Sequence, residues 1–389
     1  MKLACVVHRF GPEIAGGSEG HCRLVAERLA ETHDVTVVTT TARDHVTWVN
    51  HYPRGRSTSG RVTIQRFPVD RPRNLHRFRD ISAHVFSGAA SAAEEERWFV
   101  ENGPQSTALL DHLQRSGREY DLVLFWAYRY ATSYFGLPLV RDRAVLVPTA
   151  ERDPLIHAAV LLPYFALPRG VLFLTPEEEA LVGDRVPRTT PRAIVGLGVD
   201  PPSPVDSRVI ERLGLSGSFV LYLGRIDPNK GCTALFEHFI DYSASRPHIP
   251  LVLAGPANMP VPAHRSIRHL GYVNERTRDA LIAHARVLVQ PSPFESLSIV
   301  LLEAWNYGTP ALVNARCAVL KGQVLRADGG LYYRDRYEFS EALDYLLAHQ
   351  DVARRLGSQG REYVDQEYRW PVVMKRINGL LAAVGAARR

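Results

Sequence analysis

The chain has four cysteines in 389 residues, Cys5, Cys22, Cys232 and Cys317, spread far apart. No pair has the spacing of a metal-binding knuckle, which excludes a cysteine-built metal or disulfide scaffold and makes a reducing, cytoplasmic compartment the expectation. No apolar run approaches the ~20 residues needed to cross a bilayer. The longest, at 158–168, is broken by Pro163 and Pro168. The opening Met1-Lys2-Leu3-Ala4-Cys5-Val6-Val7 is too short for a secretory apolar region and reads as a first strand. Solenoid repeats, low-complexity tracts and the Gly-x-Gly-x-x-Gly dinucleotide fingerprint are all missing. So is any nucleic-acid-binding motif to accompany the formal charge of +6 and pI near 9.2, and nucleic acid is not an expected partner.

Arginine supplies most of that positive charge. It clusters at Arg54, Arg56, Arg61, Arg66, Arg71, Arg73, Arg77 and Arg79. Two readings stay open: a solvated basic face, or a surface for an anionic acceptor or anionic lipid that would make the protein membrane-peripheral.

The length suffices for two domains with their own cores, and 46% apolar with 23% charged residues is ordinary globular composition. The pattern is α/β. Residues 2–8 form an apolar strand ending in the loop Gly11-Pro12-Glu13-Ile14-Ala15-Gly16-Gly17. A helix follows, with Ser18 as expected N-cap and Leu24, Val25, Leu29 and Ala30 at helical spacing. The β-branched run 35–41 completes a βαβ unit. Residues 50–118, polar and Arg-rich, read as an insertion carrying helices at 94–100 and 106–115. Strands return at 122–126, 144–148 and 171–175, the last leading into Thr175-Pro176-Glu177-Glu178-Glu179, a capped helix start.

The segment 193–204, rich in Gly, Pro and Asp, reads as the interdomain boundary. Beyond it strands are expected at 219–223, 251–254, 267–270, 287–290 and 311–313, with Gly231 and Asn274 opening helices. The expectation is two Rossmann-like, doubly wound domains facing a cleft. Their spans are 1–197 and 198–369, with 370–389 as a helix crossing back to the first. Ligands in such sheets gather at the carboxyl ends of the strands.

The chemistry-bearing residues follow predicted strands. Gly224-Arg225-Ile226-Asp227-Pro228-Asn229-Lys230-Gly231 places two cations on one loop. That loop is good turn chemistry in its own right. A cation ~4 Å from a phosphate oxygen is worth roughly 4 kcal/mol at an effective dielectric near 20. Further on, Phe294-Glu295-Ser296-Leu297-Ser298-Ile299-Val300-Leu301-Leu302-Glu303 sets two carboxylates around a helix start. The first amides of that helix are a ready site for a diphosphate. Glu295 would bind sugar hydroxyls, and Glu303, about five residues or ~7.5 Å along the helix, would reach another part of the ligand. Gly16 and Gly17 let backbone approach a phosphate closely. A site that grips a sugar by its hydroxyls and a diphosphate by its charge points to glycosyl transfer from a nucleotide sugar. The alternatives kept open are a non-catalytic nucleotide-sugar-binding partner protein on the same fold, and an epimerase or phosphorylase.

These residues, with Gly329-Gly330-Leu331-Tyr332-Tyr333, resemble the GT-B glycosyltransferases of glycosyltransferase family 4. The resemblance implies that Arg225 and Lys230 bind the donor diphosphate, that Glu295 contacts the donor sugar and that Glu303 contacts the ribose. It places Gly17 and the amides of Leu297 and Ser298, beside Ser296, against the phosphates. It also implies a hexose-type transfer with retention and no required metal or other cofactor. One departure stands out. Similar proteins carry Thr-Ala-His-Asp-Glu-Pro where this chain has Thr149-Ala150-Glu151-Arg152-Asp153-Pro154. Glu151 thus takes the place of a histidine and would bind the sugar through a carboxylate, while the nearby His157 reads as a solvated helix residue.

Overall fold

The computed structural model describes residues 1–14, 16–215, 218–246 and 249–386. Ala15, in the Gly-rich loop read from the sequence, lies outside them. The chain divides into two compact units, Met1–Leu197 with Met374–Arg389, and Gly198–Val373. Both are built on parallel sheets, so the doubly wound α/β architecture holds.

The first unit contains eight strands: β1 (Lys2–Val6), β2 (Asp34–Thr40), β3 (Gly55–Ser59), β4 (Val62–Phe67), β5 (Leu122–Trp126), β6 (Ala144–Val147), β7 (Gly170–Phe173) and β8 (Arg192–Ile194). Their order is β3-β4-β2-β1-β5-β6-β7-β8, all parallel except the β3–β4 pair. The inner strands are Leu-, Val- and Phe-rich and buried on both faces, as a parallel sheet covered by helices requires. Fully burying one such side chain contributes about 1.5–3 kcal/mol. The C-terminal helix Trp370–Ala386 enters this unit at Met374, and Gly170 has no room for a side chain against its Val384.

Two expectations need correction here. Residues 50–118 are not simply a helical insertion. β4 extends the parallel sheet beside β2, and β3 folds back on it as an antiparallel edge. The reason they escape notice is chemical: β3 reads Gly-Arg-Ser-Thr-Ser and is mostly exposed, so it has no apolar alternation to reveal it. Helices do occur there, including Ala92–Asn102 and Thr107–Ser116, close to the expected pair. Ser18 does not cap the first helix. That helix spans Gly17–Leu29 with Gly16 at its N-cap, and the Ser18 hydroxyl donates to Glu19 instead.

The second unit has six parallel strands: β9 (Val220–Leu223), β10 (Leu251–Ala254), β11 (Ile267–His269), β12 (Val287–Gln290), β13 (Ala311–Asn314) and β14 (Gly330–Tyr333). They are ordered β11-β10-β9-β12-β13-β14. The order reverses between β9 and β12, and the carboxyl ends of strands at such a reversal are where ligands bind in sheets of this kind. Gly231 and Asn274 stand at the helix starts where the sequence placed them. Among the described residues no helix is long and apolar enough to cross a membrane.

Candidate active site

The loop leaving β9 is shaped by its own side chains. Asp227 accepts from the Asn229 amide at 2.9 Å and from the Asn258 side chain at 3.2 Å, fixing the turn Pro228–Lys230. Gly231 then takes φ 75, and a Cβ there would meet the Pro291 carbonyl oxygen at 2.3 Å. Only glycine allows the β9 loop to lie this close to the loop leaving β12. Asn314, at the end of β13, donates to that same carbonyl at 3.0 Å.

The close approach brings Lys230 and Glu295 together. Lys230 Nζ donates to Glu295 Oε1 at 2.7 Å, although the residues are sixty-five positions apart. The bond is charge-assisted, and both side chains keep part of their surface in solvent. Arg225 lies on the same loop, its Nε 3.7 Å from Asp227 Oδ2. Two cations and two carboxylates therefore sit at the carboxyl ends of β9 and β12.

The helix after Glu295 spans Ile299–Asn306, with Ser298 at its N-cap. Leu297 and Ser298 are buried. The Ser298 amide donates to Gln323 Oε1 at 3.0 Å, so that donor is already engaged by a side chain the sequence did not single out. Ser298 Oγ accepts from Gln290 at 3.4 Å. Ser296 lies on the connecting loop between Glu295 and this capped start. Glu303 is half-buried, and its carboxylate lies 3.4 Å from the Arg278 guanidinium. Burial raises its pKa above the usual carboxylate value, Arg278 opposes the rise, and Asp279 and Glu275 add to it. Cys317 lies beside Glu295, and burial pushes its thiol up to about 11, which keeps it protonated and unreactive.

The first unit carries its own constellation at the carboxyl ends of β1, β5 and β6. Gly16 has no space for a side chain: a Cβ would meet the Glu19 carboxylate at 2.3 Å. At Gly17 a Cβ would meet nothing within 4 Å. Glu19 is buried and gathers three donors: His8 Nε2 at 2.9 Å, Arg9 Nε at 2.6 Å and Ser18 Oγ at 2.8 Å. Burial alone would raise its pKa, but His8 and Arg9 overcome it and hold the carboxyl far below the usual range. His8 also stacks on Tyr130, ring centroids 3.6 Å apart.

The loops after β5 and β6 begin with Ala127 at φ 62 and Thr149 at φ 49, left-handed conformations that disfavour any residue but glycine. Arg129 bridges them. Its guanidinium lies 2.7 Å from Asp153 and 3.8 Å from Glu151. Glu178, expected as a first-turn acid, is buried. It accepts the Ala150 amide at 2.6 Å and the Leu174 amide at 2.5 Å, so it pins the loop carrying Glu151. Burial pushes it up to about 8 despite those amides. His157 is exposed at the end of a short 3-10 turn.

Sequence reasoning thus missed His8, Arg9, Glu19, Arg129, Arg278 and Gln323. His8 and Arg9 had a readable signal, since they are the first polar residues after an apolar strand. The others become neighbours only through the fold.

Residues 207–363 match the family described as glycosyl transferases group 1. The chain is 24% identical over 292 residues to a trehalose synthase of Pyrococcus horikoshii, covering 71% of this chain and 60% of that protein. It is 25% identical over 418 residues to an alpha-maltose-1-phosphate synthase of Mycolicibacterium smegmatis, covering 99% and 100%. Among solved structures, Anabaena HepE in complex with UDP and glucose superposes with a TM-score of 0.70 at 14% identity, covering 98% of this chain and 100% of that one. The chain shares the GT-B architecture of solved glycosyltransferases, and its residues 207–363 match a glycosyl transferase domain; it spans about three fifths of the length of the trehalose synthase.

Proposed function

We propose that the protein is a retaining glycosyltransferase of the family 4 type, moving a hexose-type sugar from a nucleotide diphosphate sugar to an acceptor hydroxyl. The observation that carries this reading is the 2.7 Å Lys230–Glu295 bond. It joins a phosphate-binding cation to a hydroxyl-binding carboxylate at the point where the parallel sheet reverses its strand order. A linkage between a diphosphate and an anomeric carbon uses both groups at once. A solved neighbour that holds UDP and glucose adds support.

In this reading Lys230 and Arg225 stabilise the negative charge that grows on the departing diphosphate. Glu295 fixes the sugar hydroxyls, and Glu303, held by Arg278, takes the ribose hydroxyls. The acceptor oxygen attacks the face that the diphosphate leaves. Its proton passes to a phosphate oxygen, so no protein base is demanded. Gly17 approaches the diphosphate, and Glu151, anchored by Arg129, accepts a sugar or acceptor hydroxyl where similar proteins use imidazole. No metal takes part, so turnover measured with a chelator equals turnover without it. The enzyme is cytoplasmic. A peripheral contact with an anionic surface rests on Arg54, Arg56, Arg61, Arg77 and Arg79, which are exposed. Arg66 and Arg73 are committed to backbone carbonyls and Arg71 to Glu101.

The test is a thermal-shift panel of UDP-, GDP-, dTDP- and ADP-sugars, followed by an assay for slow donor hydrolysis. One nucleotide class should raise the Tm, and its sugar should release nucleoside diphosphate. A donor that binds but is never hydrolysed would instead favour a non-catalytic binder. Product formed without an acceptor would favour an epimerase.

A further inference from the structure

The second unit holds a cavity of about 660 Å³ that includes none of Arg225, Lys230, Glu295 or Glu303. It opens at the carboxyl ends of β13 and β14, against the helix Cys232–Ser245. Its floor is Tyr333, which is buried, and half-buried His238. The walls differ in charge. Arg316, Arg334 and Arg336, with Asp335 among them, come from the segments after β13 and β14, and Glu237 and Asp241 from the helix.

The fold forces the two arginines together. β13 and β14 pair in register with Asn314 opposite Tyr333, and the Ala315 amide donates to the Tyr333 carbonyl at 2.8 Å. Arg316 and Arg334 therefore leave adjacent strands, ~4.8 Å apart, within two residues of that pairing. Their backbone amides are used locally, to Asn314 and Glu338. Neither guanidinium makes an ion pair or hydrogen bond among the described residues, whereas Arg336 beside them reaches Asp241 at 3.4 Å. His238 Nδ1 is buried without a hydrogen-bond partner.

Two guanidinium groups on adjacent strands can share one dianion, because each presents several N–H donors in one plane; Asp335, which lines the same cavity and feels the Arg316 charge, is the carboxylate a dianion must displace from them. The opposite carboxylates repel such a group but accept hydroxyl protons. We propose that this cavity binds a phosphorylated sugar, with the phosphate monoester on Arg316 and Arg334 and sugar hydroxyls on Glu237 and Asp241. It is a second carbohydrate site, separate from the one that takes the nucleotide sugar.

The probes are glucose 6-phosphate, inorganic phosphate and glucose, titrated calorimetrically into the full chain with and without saturating UDP. Glucose 6-phosphate should bind at least about tenfold more tightly than either fragment, since both walls contribute. Arg316→Ala with Arg334→Ala should weaken it by about tenfold or more. Glu237→Gln should weaken glucose 6-phosphate while leaving inorganic phosphate unchanged. Lys230→Ala and saturating UDP should leave it bound, which separates this proposal from the donor-site reading. Displacement by UDP, full binding by the double arginine variant, phosphate binding as tight as that of the sugar phosphate, or no binding of any probe would each overturn it.

Discussion

The two units place titratable groups at the ends of parallel strands in opposite ways. In the first, Glu19 is sealed between His8 and Arg9, Glu178 is buried on two amides, and His21 is held between Trp126 and a backbone carbonyl. In the second, Lys230 and Glu295 pair at the surface of the loops and stay partly wet. Buried ionic groups fix a loop because removing one partner strands the other. Partly exposed groups can exchange each other for a ligand at smaller cost than sealed ones. The first unit seals titratable groups to hold backbone in place, Glu19 as an ion and Glu178 and His21 as neutral groups near pH 7, and the second leaves its ion pair partly in solvent.

The comparison breaks most visibly at Glu19. Glu19→Ala should destabilise the first unit by about 3–5 kcal/mol, because His8 and Arg9 would be left without their common partner. Calorimetric unfolding should show the loss, and Glu295→Ala should not. A Glu19 variant with unchanged melting would mean that the sealed triad does not hold the Gly16–Gly17 turn.

A somewhat smaller effect is expected with pH. Trp126 Nε1 donates to His21 Nδ1 at 2.9 Å, so His21 Nε2 carries the hydrogen given to the Gly196 carbonyl at 2.8 Å. Burial lowers its pKa to about 4 from 6.5, the carbonyl opposing in part. The unfolded chain takes up this proton first as pH falls. The native contribution is therefore complete above pH 6.5 and is lost progressively down to about 4. The size is about 3 kcal/mol at most. Glu178 runs the other way, its contribution lost as pH rises from 4.5 to about 8. The difference in stability between the native protein and His21→Gln, followed across pH, isolates the histidine. A flat difference would show that His21 titrates normally.

The smallest effect tests the wet side of the first unit. Glu151→Gln keeps the shape of the loop but removes the charge facing Arg129. Acceptor KM should rise by about five- to tenfold with donor hydrolysis unchanged, the loss of one hydrogen bond to a charged group. Equal losses in both would assign Glu151 to the donor.

Much of this was legible beforehand, for physical reasons that differ by element. Strands such as Leu122–Trp126 and Val287–Gln290 are continuous apolar runs because both faces are covered. The cap at Thr175, whose side chain accepts the Glu178 amide, follows from local chemistry alone. β3 was hidden because an exposed edge strand carries polar residues. Glu178 is the first-turn acid the sequence indicated, but its burial was hidden because such an acid looks the same in sequence whether it faces water or the core. The pairs Arg278–Glu303 and Gln323–Ser298 depend on strand order, which no local window contains.

The central claim is that Lys230 and Glu295 hold the two sides of one sugar–diphosphate linkage. Its most direct test is calorimetric titration of the matched nucleotide sugar and of its free nucleoside diphosphate into Lys230→Ala and Glu295→Gln. The account predicts that Lys230→Ala weakens both ligands and cuts turnover by about a hundredfold or more, and that Glu295→Gln weakens the nucleotide sugar while sparing the diphosphate. Native affinity for both ligands in both variants, with the fold intact, would contradict it.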